Sequence, residues 1–386
     1  MEVAGCVMNS NDNQMMRIAY LFPRGDVGGA EIATIRFIEG HDRSKVTPVA
    51  LFMESGPAVD RVRALEVVAD VAPFLPRLSR PRELRQGRAW ITERLRHHSI
   101  DLQHSVMAWT HALGGAAARK AGARVVWFQQ NRPNALDPLD WYAALSHADL
   151  ILANSHFVAK LQSRVNLRRF PIEVVHLPVP RAGDVQRSPA IRAELGADDS
   201  HVLAVLAGRL QRWKGQDIAV RALALAAERA PNLRLAIVGG ALFGLETDYL
   251  KELEQLARRA GVADRIRFVG FREDMNGIYA SADIVLHTSR KPEPFGLVVA
   301  EGLVHGRAVI ACNAGGVPEQ IEHERTGVLV KPEDPAALAG ALVRVATDPE
   351  FRRRLGTAAL GARVSTPRSA AARLESLYRR TLASKT

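Results

Sequence analysis

Two cysteines, Cys6 and Cys312, are all that this chain of 386 residues contains. A disulfide framework is therefore excluded, and a reducing compartment is the simplest interpretation. No apolar run reaches the length that a bilayer-spanning helix requires. The N-terminus also lacks the basic start and apolar segment of a secretory signal. We therefore expect a cytoplasmic protein, with residues 1–15 as a disordered N-terminal segment.

Several motifs of enzyme chemistry are missing as well. No Asp-x-Asp pair occurs, so a metal ion bridging a diphosphate has no evident carboxylate ligands. Zinc-spaced Cys and His clusters, the Gly-x-Ser-x-Gly elbow and the Walker A loop are also absent. The dinucleotide fingerprint is missing after the first predicted strand, which argues against a nicotinamide-dependent oxidoreductase. We expect neither a metal site nor a cofactor.

Acidic residues are too few to balance the basic ones, and the formal net charge is +11. A field of this sign favours a polyanion or an anionic membrane surface as a partner. Codon usage that enriches arginine is the alternative explanation. The densest basic stretch, residues 77–98, is either a surface that faces a membrane or an acceptor, or an ordinary solvated face. Peripheral association with the inner face of a membrane stays open, and no specific nucleic acid is expected.

Length and hydropathy pattern together predict two α/β domains. The 386 residues exceed one ordinary core, and a hydrophobic fraction of 47% suits globular domains. Short apolar runs alternate with amphipathic stretches, which indicates parallel sheets covered by helices on both faces. The predicted strands are residues 17–22, 46–52, 102–104, 124–128, 150–153 and 172–176, then 202–207, 234–238, 266–269, 284–286, 308–311 and 327–330.

A segment rich in proline and glycine separates the two halves of the chain. Its Pro178, Pro180 and Gly183 are typical of an interdomain linker. The predicted organisation is a Rossmann-like domain over residues 16–180, a linker over 181–188, a second such domain over 189–366 and an amphipathic segment over 367–386. Open α/β sheets bind ligands at the carboxyl ends of their strands, so we expect the domains to face each other across a cleft.

The first candidate site follows the predicted strand 202–207. Gly208, Arg209 and Lys214 lie there on a loop that precedes a helix. Two cations at the carboxyl end of a strand suit a diphosphate, because arginine grips phosphate oxygens bidentately and lysine acts as a point charge. A solvated basic loop is the alternative interpretation.

The second candidate site is the run Glu293-Pro294-Phe295-Gly296-Leu297, followed by Glu301. Proline forbids a helix up to Pro294, so a helix can open around Phe295–Leu297 with its free N–H groups available to a phosphate. Glu301 then falls in the second turn and leans toward the same ligand. Carboxylates accept hydrogen bonds from vicinal hydroxyls. Two glutamates around a phosphate-binding helix end therefore favour a ligand with sugar hydroxyls on either side of a diphosphate.

The N-terminal half contains weaker candidates. Gly28 and Gly29 precede a helix and allow close backbone approach to an anion, although double glycines are common in plain turns. A polar cluster is predicted at strand carboxyl ends, where its members would contact the acceptor or the sugar. It comprises His104, His111, Gln129, Gln130 and Asn154. A histidine in such a place is more often structural than catalytic.

These motifs together resemble the retaining glycosyltransferases of family 4, which have the GT-B fold. The matching segments are Gly28-Gly29-Ala30-Glu31, Ala153-Asn154-Ser155, Gly208-Arg209-Leu210 with Lys214-Gly215, Glu293 through Gly302, Gly315-Gly316-Val317-Pro318-Glu319 and Thr326-Gly327-Val328-Leu329-Val330. The resemblance covers almost the whole chain from Met16 and is most specific in the C-terminal half. It also implies that the helix expected at 369–382 crosses back onto the N-terminal domain.

The resemblance implies a role for each matching residue. Arg209 and Lys214 would neutralise the donor diphosphate and stabilise the leaving nucleotide. Glu293 would hold hydroxyls of the transferred sugar and Glu301 the ribose, with the backbone of 295–297 on sugar and phosphate. Gly28 and Gly29 would close on the phosphate from the other domain. Many relatives carry a histidine where this chain has Gln129 and Gln130, so either His111 or an amide would hold the sugar instead.

The expected activity is retaining, metal-independent transfer of a hexosyl group from a UDP- or GDP-linked sugar to an acceptor hydroxyl. Synthesis of a cell-envelope polysaccharide or glycolipid is the expected setting, so the acceptor is a glycan, a lipid or a small molecule. Glycosylation of a secondary metabolite, a sugar-nucleotide epimerase and a phosphorylase of the same shape are alternatives. A basic protein that binds membrane or nucleic acid without catalysis is the alternative outside enzymes.

Overall fold

The computed structural model describes residues 15–134, 136–240 and 248–384. Within them the chain divides into two compact units. Unit 1 comprises the described residues up to Pro178 together with those from Ser365 onward, and unit 2 is Val179–Val364. The segment 1–15 expected to be disordered lies outside the described residues, apart from Met15. The division after Pro178 falls two residues before the end of the predicted N-terminal domain at 180.

Unit 1 is built on a sheet of seven parallel strands. The strands are β1 (Met16–Phe22), β2 (Val46–Phe52), β3 (Val68–Val71), β4 (Leu102–Val106), β5 (Arg124–Gln129), β6 (Leu150–Ala153) and β7 (Ile172–Val174). Their order in the sheet is β3-β2-β1-β4-β5-β6-β7, and every pairing is parallel. This is the doubly wound arrangement, in which the strand order reverses between β1 and β4.

Seven helices belong to the described part of unit 1. They are α1 (Gly29–Gly40), α2 (Pro57–Arg63), α3 (Pro81–His97), α4 (Ala108–Ala121), α5 (Pro138–Leu145), α6 (His156–Val165) and α14 (Pro367–Ala383). Apolar side chains from α3 and α4 pack on those of β1, β2 and β5 to form a core. No helix of the described residues is long and apolar enough to cross a membrane.

The last helix, α14, belongs to unit 1 although it follows unit 2 in sequence, and it packs against α1. Thr366 begins it with a capping box, in which its side chain and that of Ser369 each accept a bond from the other's backbone N–H. A chain of buried polar groups links this helix to the sheet. His41 Nδ1 lies 2.9 Å from Glu375 Oε1, and the Tyr20 hydroxyl lies 2.5 Å from His41 Nε2.

The same series of hydrogen-bonded side chains continues to a second tyrosine, Tyr378, and a second histidine, His104. The hydroxyls of Tyr20 and Tyr378 are 3.2 Å apart, and His104 Nδ1 lies 2.6 Å from the Tyr378 hydroxyl. Because the Glu375 carboxylate only accepts, all bonds can run one way, with each group donating toward Glu375. Burial lowers the pKa of His41 even though Glu375 opposes this, so the ring is neutral and its Nε2 accepts. This series of hydrogen bonds orients α14 on unit 1, and it requires that the negative charge of Glu375 be buried.

Unit 2 is built on a second parallel sheet, of six strands. They are β8 (Val202–Ala207), β9 (Leu233–Val238), β10 (Ile266–Gly270), β11 (Ile284–His287), β12 (Ala308–Cys312) and β13 (Val328–Val330), in the order β10-β9-β8-β11-β12-β13. Every pairing is parallel, and β8 neighbours β11 where the order reverses. The helices of its described residues are α7 (Pro189–Glu194), α8 (Gln216–Ala226), α9 (Tyr249–Arg259), α10 (Met275–Ser281), α11 (Leu297–Val304), α12 (Pro335–Thr347) and α13 (Pro349–Ala359).

The fold class predicted from the sequence, two doubly wound α/β domains, is confirmed. All twelve predicted strands form, most with boundaries shifted by one or two residues. In unit 2, β8 and β11 end where the strand order reverses, and open α/β sheets bind ligands outside the carboxyl ends of strands at that point. The segments that follow β8 and β11 are those that carry Arg209, Lys214 and Glu293.

Candidate active site

The loop after β8 is fastened to the loop after β11. The Thr288 hydroxyl donates to the carbonyl of Lys214 at 2.9 Å, and the Arg290 N–H donates to that of Trp213 at 2.8 Å. Gly215 completes the contact with φ = +72°, and a Cβ there would lie 2.2 Å from the carbonyl oxygen of Thr288. Only glycine suits both the left-handed backbone and this close approach. The result is that the end of the β8 loop is held against the end of β11.

This attachment brings Lys214 onto Glu293. Lys214 Nζ lies 2.6 Å from Glu293 Oε1 and 4.4 Å from the centre of the Trp213 ring. The same carboxylate oxygen accepts a short hydrogen bond from the Ser289 hydroxyl, and His287 Nε2 lies 3.1 Å from it. Glu293 is buried, with 8% of its surface exposed. One buried carboxylate therefore gathers a cation, a hydroxyl and an imidazole.

The charges of this cluster decide the protonation of Glu293. Burial alone would raise its pKa, but the charge of Lys214, and after it the adjacent His287, outweigh burial and hold the pKa of Glu293 well below the usual glutamate range. Burial, with a contribution from Glu293, raises the pKa of the nearby Cys312 thiol to about 12. Near neutral pH, Glu293 is thus an anion that can only accept hydrogen bonds, and Cys312 is a neutral thiol.

The backbone on either side of Glu293 is also held in place. The Gly316 N–H donates to the Glu293 carbonyl at 2.9 Å, and Gln320 Nε2 donates to that of Phe295 at 2.6 Å. Gly296 then starts α11 with φ = +89°, and a Cβ there would lie 2.8 Å from Val317 Cγ2. The run 293–297 is therefore a turn between two fixed points, and α11 begins at Leu297, within the predicted 295–297.

Glu301 lies in the second turn of α11, as the spacing predicts. Its Oε2 accepts a hydrogen bond of 2.9 Å from the Tyr279 hydroxyl of α10. The Glu301 backbone carbonyl lies 2.7 Å from His305 Nδ1 in the last turn. Tyr279 is buried, so this bond orients the carboxylate from the protein side while Glu301 itself stays half-buried.

Arg209 and Gly208 follow β8 directly, as predicted. The Gly208 N–H donates to the Val238 carbonyl at 2.9 Å, and the Arg209 carbonyl accepts from Gln216 Nε2 at 2.8 Å. Both residues are half-buried. Arg209, Lys214, Glu293 and Glu301 therefore stand on the segments after β8 and β11, all within unit 2.

His104 and His111 are corrected by the structure. His104 was expected at the end of a strand, but β4 continues to Val106 and encloses the ring in the sheet, where it meets Tyr378. His111 stacks flat on Trp127, with ring centroids 4.8 Å apart. Both rings are completely buried, and burial lowers the pKa of each to about 3. They are neutral packing residues and present no surface to a ligand.

Gln129, Gln130 and Asn154 do lie at the carboxyl ends of β5 and β6. All three are buried. Gln129 Nε2 donates to Gln162 Oε1 at 3.3 Å, and Asn154 Nδ2 donates to the Gln130 carbonyl at 3.1 Å. Gln129 thus connects the end of β5 to α6, and Asn154 connects the ends of β5 and β6. A contact of these residues to sugar or acceptor stays a prediction.

Gly28 and Gly29 form the start of α1, as the glycine pair indicates. Gly28 is the N-cap residue, and Ile32 N–H donates to its carbonyl at 2.9 Å. The carboxylate of Glu31 lies over this end, since a Cβ on Gly28 would be 2.6 Å from Glu31 Oε2. The negative charge of Glu31 thus lies close to the positive N-terminal end of α1.

Unit 1 contains a cavity of about 600 Å³ outside the carboxyl ends of β4 and β5. Met107, Trp109, Asn131, Arg132 and Asp140 are among its lining residues. Met107 has φ = +80°, a strained conformation for a side chain of this kind that is often found at functional sites. The cavity is lined by the residues after Gln130 rather than by the polar cluster named from the sequence.

The basic stretch 77–98 forms α3 and the turn before it. Four of its seven arginines have partners inside unit 1: Arg80 on Glu83, Arg88 on the carbonyls of Ala112 and Leu113, Arg94 on Asp70 and Arg96 on the Lys120 carbonyl. Much of this charge therefore attaches α3 to its neighbours, which weakens the interpretation of the stretch as a membrane-facing surface.

Three site residues were missed in the sequence. His287 and Ser289 follow the apolar run of β11 directly, and a polar triplet at a strand end was the signal that could have identified them. Tyr279 lies on the apolar face of α10, where the sequence pattern indicates only a packing residue. It is recognised only because its hydroxyl meets Glu301.

Two doubly wound parallel sheets place this chain in the class of two-domain α/β proteins, and sheets of this kind bind ligands outside the carboxyl ends of their strands. The family model "Glycosyl transferases group 1" matches residues 187–361, and the model "Glycosyltransferase Family 4" matches residues 27–182. Together they cover most of both units. The chain belongs to this family of group 1, family 4 glycosyltransferases, which confirms the family resemblance, while the retaining mechanism stays a prediction.

Curated relatives agree with this family. The D-inositol 3-phosphate glycosyltransferase of Streptomyces avermitilis is 34% identical over 221 residues, covering 55% of this chain and 47% of the relative. The enzyme of the same name from Corynebacterium diphtheriae is 36% identical over 176 residues, or 44% of this chain and 40% of the relative. The chain thus spans about half the length of the curated relatives it matches.

Solved structures match over nearly the whole chain. The crystal structure of Anabaena HepE in complex with UDP and glucose has a TM-score of 0.81 and 26% identity, covering 96% of this chain and 100% of HepE. HepE was also crystallised with UDP-glucose. Sucrose-phosphate synthase from Thermosynechococcus elongatus, at 20% identity and a TM-score of 0.79 over 96% of this chain and 100% of that chain, shares the fold.

Proposed function

We propose that this protein is a hexosyltransferase that takes its sugar from a nucleoside diphosphate sugar and transfers it to an acceptor hydroxyl. The observation that carries the proposal is the Lys214–Glu293 pair at 2.6 Å, at the switch point of unit 2. A phosphate-binding cation and a hydroxyl-binding carboxylate held side by side suit the junction between a diphosphate and a sugar. Membership of the family and the HepE complexes support the same ligand class.

Different residues of the site bind different parts of the donor. Lys214 and Arg209 neutralise the diphosphate and stabilise the charge that develops on the leaving nucleotide. Glu293 accepts hydrogen bonds from the sugar hydroxyls, and its lowered pKa keeps it an acceptor. Glu301, oriented by Tyr279, accepts those of the ribose. The backbone N–H groups at Phe295, Gly296 and Leu297, at the start of α11, contact sugar and phosphate.

UDP is the nucleotide that we favour over GDP. HepE, at 26% identity over 96% of this chain, was crystallised with UDP and with UDP and glucose. A UDP-hexose is therefore the first donor to test. Transfer with retention of anomeric configuration, without a metal ion, stays a prediction from the family resemblance. In that mechanism the acceptor oxygen attacks on the face that the nucleotide leaves, and Lys214 stabilises the departing phosphate.

The acceptor that we favour is a small, hydroxyl-rich molecule. The names of the Streptomyces and Corynebacterium relatives specify an inositol phosphate. The cavity of unit 1 supports this, because Arg132 and Asn131 offer donors and Asp140 offers a carboxylate to such a molecule. A growing envelope glycan or lipid is the second candidate, and cytoplasmic location with peripheral membrane association stays a prediction.

The test is incubation of the protein with labelled UDP-glucose and a panel of cyclitol, sugar and lipid acceptors. Transfer of label, with retention seen in the product's anomeric NMR coupling, is the expected result. Glu293→Gln should lose turnover, whereas Lys331→Gln, an exposed lysine of unit 2, should keep it. Epimerised UDP-sugar without acceptor would point to an epimerase. Equal transfer by Glu293→Gln would overturn the site assignment.

A further inference from the structure

A second cavity, of about 430 Å³, lies in unit 2 at the amino-terminal edge of its sheet. Asp283 and Arg307, which directly precede β11 and β12, form its floor, and α13 contributes Arg352, Arg353 and Thr357. The candidate active site lies past the carboxyl ends of the same strands. With a rise of about 3.3 Å per residue, strands of four or five residues place the two sites roughly 15 Å apart.

The lining of this cavity has an uncompensated positive charge. Of the described residues that line it, only Asp283 is acidic. Its carboxylate is already bound by Arg187 at 2.8 Å and by Arg192 at 3.0 Å, and it accepts the Leu203 N–H. The three lining arginines are therefore not balanced by it.

Two of these arginines are held by backbone carbonyls of the protein. Arg307 donates from Nε to the His305 carbonyl at 2.7 Å and from Nη1 to that of Ala282 at 3.1 Å. Arg352 donates from Nη1 to the carbonyls of Val345 and Ala346. Among the described residues, Nη2 of neither arginine has an acceptor. Each guanidinium is thus fixed in position with donors left for a ligand.

The energetics of burial favour an anion here. Burial lowers the pKa of Arg307, and the charge of Asp283, which is shared with Arg187 and Arg192, opposes this only in part. A bound anion would offset that penalty. Guanidinium groups bind phosphate and carboxylate through paired N–H donors, and a cavity of this size admits a small phosphorylated molecule.

We propose that this cavity binds the phosphate group of a small molecule through Arg307, Arg352 and Arg353, at a site separate from the donor site. Arg353 completes the set, since the one ion pair that it makes within the described part of the chain is a 3.5 Å contact with the exposed Glu350. The bond between Arg307 and the His305 carbonyl, together with the contact of His305 Nδ1 with the Glu301 carbonyl, connects the site to α11. The proposal does not depend on the proposed transferase activity.

The test is a titration with inorganic phosphate at constant ionic strength, followed by calorimetry and by the thermal shift that binding to the folded state produces. The wild type is expected to bind saturably, and Arg352→Gln/Arg353→Gln to bind at least about tenfold more weakly. Arg354→Gln is the matched control for the single variant Arg353→Gln, because each removes one arginine charge from α13 and Arg354 does not line the cavity. It should bind as the wild type does.

Lys214→Gln separates this site from the donor site, and it should retain phosphate binding. If Lys214→Gln removes the binding while the double variant keeps it, phosphate binds at the donor site and the proposal is wrong. Absence of saturable binding in the wild type would also overturn it. Should loss of the Arg352 bonds unfold the double variant, Arg353→Gln, which loses only the Glu350 contact, is expected to weaken binding in the folded protein.

Discussion

Replacing Lys214 by glutamine should destabilise unit 2 as well as impair donor binding. The change leaves the buried Glu293 carboxylate without its closest cation, which lies 2.6 Å away in the native protein. Removing one partner of a buried ion pair commonly costs 3–5 kcal/mol. Lys214 has a side chain that is 19% exposed, and Ser289 and His287 still contact the carboxylate. We therefore expect a smaller loss, of about 2–3 kcal/mol.

The pH dependence provides the sharper test. The pKa of Glu293 is lowered in the folded protein, so its contribution to stability is present above the ordinary glutamate pKa and is lost as pH falls through the lowered value. In Lys214→Gln, Glu293 is still buried, which raises its pKa, but the lysine charge that lowers this pKa is gone. The folded-state pKa should rise, and the variant's deficit should shrink as pH falls from 7 toward about 4.

Scanning calorimetry at several pH values measures both effects. Lys331→Gln removes the same charge at an exposed position of unit 2, and its effect should stay within about 0.5 kcal/mol. The variant Lys214→Gln/Glu293→Gln should recover part of the stability that Lys214→Gln loses, because no buried charge is left unpaired. A Lys214→Gln deficit below that of the control, or one that grows as pH falls, would refute the reasoning.

Three further predictions concern the groups that position the site and the last helix. Glu375→Gln should lower the unfolding free energy by about 1–2 kcal/mol, because it weakens the hydrogen bonds to His41 and Asp42. Faster amide hydrogen exchange in α14 would show the loss. The exposed Glu350→Gln is the control and should leave this exchange unchanged. Gly215→Ala should sharply reduce turnover, because its Cβ would displace the Thr288 carbonyl; normal kinetics would contradict the proposed fastening of the β8 loop. Tyr279→Phe should raise the KM for the donor more than it lowers kcat, since Tyr279 orients Glu301; an unchanged KM would count against that role.

Much of the fold was predictable because strand composition and strand spacing are local properties. β2, β6 and β8 have the predicted boundaries. β3 was missed because the segment Val68–Val71 is short, carries Asp70 and lies at the sheet edge, where burial does not demand an apolar run. The helices Pro57–Arg63 and Pro349–Ala359 were not predicted; each begins with a proline, whose fixed φ suits the first helical position.

The candidate site was predictable as a set of residues but not as an arrangement. The loops after β8 and β11 could be named from the strands before them. The contact between Lys214 and Glu293 could not, because 79 positions separate them and side-chain direction depends on sheet order. The sequence had suggested separate roles for the cation and the carboxylate, and the structure joins them in one cluster with His287 and Ser289. His104 shows the reverse error, since two more residues of β4 placed it inside the sheet.

Titration of UDP into the wild type and matched variants by isothermal calorimetry tests the central claim most directly, because it requires no knowledge of the acceptor. The account predicts saturable binding to the wild type and to Lys331→Gln. Arg209→Gln and Lys214→Gln should each bind at least about tenfold more weakly, since a hydrogen bond to a charged group contributes roughly 1.5–3 kcal/mol. Equal affinity in all four proteins, with the variants folded, would contradict the assignment of the donor site to unit 2.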